Sequence, residues 1–134
     1  MRYLNKEELE IGVRFLFLSM AIIVIQKDEH SIQQGQFKIK EPYLALLNKM
    51  EHVAIAERKQ LRKHMFDNQM QVVSLNKNDS FSSFLFLCKG REEKRNYFNP
   101  TIRKNVEMIL YELMQKAGKS HQLHPSPSEM IRTQ

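Results

Sequence analysis

Residues 11–25 read Ile-Gly-Val-Arg-Phe-Leu-Phe-Leu-Ser-Met-Ala-Ile-Ile-Val-Ile, fifteen positions with a single charge, Arg14. A helix that is apolar on nearly every side is either a central core helix or a membrane span. A span needs about 20 apolar residues. This run is shorter, with Glu7, Glu8 and Glu10 before it and Lys27, Asp28 and Glu29 after it. It therefore reads as a buried central helix that the rest of the chain has to cover.

At 134 residues the chain has the size of one domain and can bury a core without covalent staples. Only four glycines and four prolines interrupt it, and its abundance of Leu, Met, Lys, Glu and Gln favours helix. Cys88 is the only cysteine, which excludes an intramolecular disulfide and a cysteine-rich zinc site and fits a reducing compartment. The acidic residues ahead of the apolar run are the wrong flank for a secretory signal, so the expected location is the cytoplasm. The net charge of +6 is spread over residues 36–134, as expected of solvated faces, with no dedicated basic tail.

In chain order, Asn5 suits the cap of a first helix, with Glu7 and Glu8 at its positive end. That helix should close near residue 34, with Gly35 in the left-handed conformation. Residues 36–40 alternate polar and apolar, a short extended segment with Phe37 and Ile39 facing inward. Pro42 fits the first turn of a second helix, whose face Leu47, Met50, Ala54, Leu61 and Met65 steps by three, four or seven residues toward Asn68. Residues 71–75 are β-prone and could pair with 36–40 as a minor two-stranded extended pair.

Residues 80–88 admit two readings. Phe84-Leu85-Phe86-Leu87-Cys88 is a continuous apolar run, as in a strand. Phe81, Phe84, Leu85 and Cys88 also have the i, i+3, i+4, i+7 spacing of a helix face. The helix is favoured because the helix formers Arg91-Glu92-Glu93-Lys94-Arg95 continue it, although Gly90 weakens that reading. Asn99-Pro100 then opens a last helix. Ile102, Val106, Ile109, Leu110, Leu113 and Ala117 form its apolar face, and Gly118 should stop it.

No constellation of catalytic residues is visible. The histidines offer neither Glu-x-x-His nor His-x-x-x-His on a helix, Cys88 sits at an apolar step as a small hydrophobe would, and no glycine-rich phosphate loop occurs. The expectation is no enzyme, no cofactor and no metal. Two surfaces stand out instead. Phe15, Phe17, Met20 and Ile23 on the first helix exceed what three further helices can cover and suggest a partner or dimer face. Basic residues in two groups, Arg58, Lys59, Arg62 and Lys63, and Lys89, Arg91, Lys94, Arg95, Arg103 and Lys104, the latter interleaved with Tyr97 and Phe98, suggest an anion or nucleic-acid surface.

Phe37-Lys38-Ile39-Lys40-Glu41-Pro42-Tyr43, residues 81–90 and Tyr97-Phe98-Asn99-Pro100-Thr101-Ile102-Arg103 resemble segments of the YhjD-like family, small uncharacterised proteins of Gram-positive, spore-forming bacteria. The resemblance spans roughly residues 8–115. It implies a bacterial cytoplasmic protein and transfers no activity to any residue.

These readings combine into an all-α domain over residues 1–118, a four-helix bundle with helices at about 5–34, 43–68, 80–97 and 100–117, the first in the centre, and a flexible tail over 119–134. The expected function is non-enzymatic and rests on protein–protein contacts, with a homodimer as one form. The alternative is a nucleic-acid-binding regulator using residues 89–104.

Overall fold

The computed structural model describes residues 3–121. Helix α1 spans Lys6–Gln34 and α2 spans Glu41–Asp67; three strands follow, β1 over Met70–Lys77, β2 over Phe81–Cys88 and β3 over Arg91–Phe98, and helix α3 runs over Asn99–His121. The strands form one antiparallel sheet in the order β1-β2-β3. The architecture is α+β, which corrects the expected all-α four-helix bundle.

The correction concerns residues 80–97. In place of one helix they form a hairpin in unbroken register from Phe81 opposite Phe98 to Cys88 opposite Arg91. Two facts override helix propensity there. Along β2 the side chains alternate, Ser82, Phe84, Phe86 and Cys88 being buried and the residues between them less so, which is the period of a strand. The two-residue loop Lys89-Gly90 has positive φ at both positions, 49° and 81°, as the type I′ turns that match strand twist require. The expected pair of segments 36–40 and 71–75 does not form either. Residues 71–75 lie inside β1 and pair with β2, while residues 36–40 are an irregular link in which Phe37 and Ile39 are 49% and 64% exposed. Lys40 crosses that link to donate to the Gln33 carbonyl at 2.7 Å.

The helices follow their sequence signals more closely. Asn5 caps α1 by accepting the Glu8 N–H at 2.8 Å, and the Glu8 carboxylate accepts the Asn5 N–H at 2.8 Å, a reciprocal cap that satisfies two otherwise unpaired donors. Gly35 ends α1 in extended backbone, φ −82°, and not in the left-handed region. Pro42 sits in the first turn of α2. Helix α3 continues through Gly118 to His121, so the expected stop at Gly118 is not observed; from residue 122 the expected tail lies outside the described residues.

Helix α1 is central, as its apolar girth demands. Its far half buries Leu18, Ala21 and Ile25 against Met50 and Ala54 of α2 and Val106, Ile109, Leu113 and Ala117 of α3. Its near half lies on the sheet, where Phe84, Phe86 and Cys88 join Leu4, Met65 and Met70 in a second cluster. At Gly12 the backbone of α1 comes close to the sheet: a Cβ there would stand 2.8 Å from the Phe86 ring. Arg14, the one charge of the apolar run, holds the three helices together: it grips Glu57 of α2 through two bonds, 2.6 and 3.0 Å, and reaches Glu112 of α3 at 3.0 Å.

Candidate functional site

Neighbours across an antiparallel sheet share a face, so the register sorts the strands into an inner and an outer set. Met70, Val72, Phe84, Phe86 and Cys88 face the helices. Val73 lies opposite Leu85, Leu85 opposite Lys94, Leu87 opposite Glu92, and Phe81 opposite Phe98. This second set is the outer face, and no helix of the described residues covers it. Phe81 and Phe98 are about half exposed, at 47% and 50%, with ring centroids 5.6 Å apart. Leu85 and Leu87 keep only the partial cover their neighbours give. Strands apolar on both faces are those covered on both faces, and β2 is apolar on both faces while the described residues cover one of them.

The sheet's edges, by contrast, carry features that discourage pairing. Strand β3 begins with five consecutive charged residues, 91–95, and β1 is bulged between Ser74 and Lys77. Charges and bulges on edge strands oppose edge-to-edge association.

Near the Lys89-Gly90 turn, the inner side carries a small polar cluster. Arg91 donates to Glu8 at 2.6 Å, and the buried Cys88 thiol donates to the same oxygen of Glu8 at 3.3 Å. The Arg91 guanidinium, then the Asn5 N–H, then the thiol hold the Glu8 carboxyl down from 4.5 to about 2. Burial, then the adjacent Glu8 carboxylate, pushes the Cys88 thiol up, which keeps it protonated and a poor nucleophile. The cluster ties the hairpin to the start of α1.

The residues singled out in the sequence are scattered. Phe17 is core, edge-on to Tyr97 at 5.3 Å; Phe15 lies under the Arg58 guanidinium at 4.8 Å; Met20 lines a cleft beside the sheet; Ile23 alone is open, at 51%. The four make no common face. Of the basic residues, Arg58 is further engaged by Ser19 at 2.8 Å, Arg91 by Glu8, and Arg95 by Glu93 at 2.7 Å. Lys59, Arg62 and Lys63 are exposed on α2, Lys89 is at the hairpin tip, Lys94 is on the outer face, and Arg103 and Lys104 are on the opening turns of α3. Residues 89–104 thus spread over a hairpin and a helix. Among the described residues no group of three His, Cys, Asp or Glu side chains converges as metal ligands, and no helix is long and apolar enough to cross a membrane.

The outer-face residues Phe81, Leu85 and Leu87 were hidden in the sequence by the helical reading of 80–97, Phe98 by its place at the expected helix junction, and Val73 by the expected pairing of 71–75 with 36–40. The available signal was the continuous run 84–88, too apolar for a strand with one wet side.

A family model described as YhjD protein matches residues 3–118. The uncharacterised protein YhjD of Bacillus subtilis (strain 168) is 31% identical over 107 residues, which cover 80% of this chain and 89% of that protein. No solved structure matches. The family resemblance carried by residues 37–43, 81–90 and 97–103 holds over nearly the whole described fold, and the chain belongs to the YhjD family.

Proposed function

We propose that the protein is a non-enzymatic cytoplasmic protein that acts through protein–protein contact, as a homodimer joined by the outer faces of two sheets. The observation that carries this reading is β2, apolar on both sides and covered on one by the described residues. A second copy is the occupant the face suits. The charges beside its apolar stripe, Glu92 and Lys94, are of opposite sign, so a two-fold pairing can set each against its counterpart. The blunted edges leave face-to-face packing as the sheet's mode of association.

Size sets the expected strength. Three strands of eight residues, about 4.8 Å apart with about 3.3 Å rise per residue, give a face of roughly 400 Å² in plan. That lies below the ~800 Å² per partner of a standard interface, so association should be concentration dependent. Light scattering across a concentration series, with Leu85→Lys as the face variant, tests it. A monomer–dimer transition shifted to higher concentration by Leu85→Lys, with unchanged circular dichroism, is the expected result. A strict monomer at every concentration, or a dimer indifferent to Leu85→Lys, overturns it. Parallel runs with short DNA and RNA at low salt address the alternative regulator reading: a salt-sensitive gain in mass would shift the function to the basic residues around Arg95 and Arg103.

A further inference from the structure

We propose that the cleft between the inner face of the sheet and α3 binds an anionic amphiphile with a single acyl chain, a long-chain fatty acid carboxylate being its simplest form. The cleft measures about 850 Å³, within the range of small-molecule sites. Its origin is legible in the strands. The inner face carries Met70, Val72, Phe84 and Phe86 where it meets α1, then changes to Ser74 and Ser82, and β1 is bulged between Ser74 and Lys77 before it pairs again with Ser82. Small side chains beside the bulge leave a space that α3 does not fill.

The floor of this space is apolar, made by Met20, Val24, Phe84, Ile102, Val106 and Leu110. Ser82 and Asn99 also line it but bond to each other at 2.7 Å, so the wall makes no polar demand on a ligand there. Two cations stand at the rim, Lys77 from β1 and Arg103 from α3. Arg14, Arg91 and Arg95 are each paired with a carboxylate, whereas Lys77 and Arg103 form no ion pair among the described residues. Glu107, one turn along α3 from Arg103, shares the rim and leaves it with a net positive charge. An apolar trough with positive charge at its mouth matches an acyl chain ending in an anion: the chain loses water to the floor, and the head meets the cations. The site lies on the face of β2 opposite the dimer surface and does not depend on it.

Isothermal titration of the full chain with oleate below its micelle concentration tests the assignment, with methyl oleate and lysophosphatidylglycerol alongside. Saturable binding of one oleate per chain is expected, weakened about tenfold or more in Lys77→Gln/Arg103→Gln and abolished by Ser74→Phe, which fills the cleft from an exposed strand position. Saturated C10 to C14 acids should gain about fourfold in affinity per added methylene. Tighter binding of lysophosphatidylglycerol than of oleate assigns the anion to a lipid headgroup, and the reverse assigns it to the free acid. Methyl oleate binding as well as oleate, no saturable binding of either anion, or Ser74→Phe binding normally while it unfolds like the parent overturns the proposal. So does loss of oleate binding in Leu85→Lys, which would put the chain on the outer face.

Discussion

Gly12→Ala tests the packing of α1 on the sheet, because two effects of comparable size oppose each other there. Replacing a mid-helix glycine by alanine ordinarily stabilises by about 1 kcal/mol. At this position the new Cβ would lie 2.8 Å from Cδ1 and 3.3 Å from Cε1 of Phe86, against a carbon–carbon optimum of about 3.5–4.0 Å. The ring would have to retreat by roughly 0.7 Å, yet Phe86 is fully buried. Overpacking of this kind costs about 1–3 kcal/mol, so the net expectation is a loss of about 0–2 kcal/mol. Gly118→Ala supplies the contrast: it lies on α3 with nothing within 4 Å of the added carbon and should gain up to about 1 kcal/mol, less if the helix end frays. Urea unfolding of both variants measures the difference. In a double-mutant cycle, Gly12→Ala should cost less on a Phe86→Leu background. A Gly12→Ala protein more stable than the parent by the full helix gain would refute the close approach.

Other consequences follow from the charged groups. Arg14→Ala should destabilise by about 2–4 kcal/mol in urea, since it leaves the largely buried Glu57 with only Lys116, at 3.6 Å, among the described residues; Arg14→Lys should recover only part, because a lysine cannot supply the two-bond grip on Glu57. Glu8, held down to about 2 from 4.5, contributes stability that is present above pH 4.5 and is lost as pH falls toward 2. Unfolding followed over that window should show a loss in the parent that Arg91→Gln flattens, and an unchanged profile would contradict the Glu8–Arg91 pairing. Glu29 is pushed up by burial and by the facing carboxyl of Glu51, so its contribution is present below its ordinary 4.5 and fades as pH rises through the raised value. Glu29→Gln should therefore stabilise at pH 7, by roughly 0.2–1 kcal/mol, and have no such effect near pH 4.

The helices were legible because their signals are local. Asn5 with Glu7 and Glu8, Pro42, and Asn99-Pro100 act on backbone groups within one turn, and the apolar face of residues 102–117 needs no knowledge of its partner. The hairpin was not, for a physical reason: residues 91–95 are strong helix formers whose strand conformation comes from β2 beside them, a contact between segments. Lys89-Gly90 also lacks the asparagine or aspartate that usually announces a tight hairpin turn. The outer sheet face vanished with the hairpin, and the cleft with it, because Ser74, Ser82, Lys77 and Arg103 acquire a common address only once the register is known. Arg14 was visible as an isolated charge, but its partners Glu57 and Glu112 are more than forty positions away.

Strand β3 ends at Phe98 and α3 begins at Asn99 with no residue between them. Asn99 also donates to the Asn78 carbonyl at 2.9 Å and accepts from Ser82, and its N–H is bonded to the Ser80 carbonyl. A junction without slack restricts where such chains can vary in length. One residue inserted after Phe98 would turn α3 by about 100° relative to the sheet and swing Val106, Ile109 and Leu113 off the core. An insertion in the exposed link at 35–40 would change only the path between two helices. Among chains of this family, gaps should gather in the α1–α2 link and avoid the passage from β3 into α3.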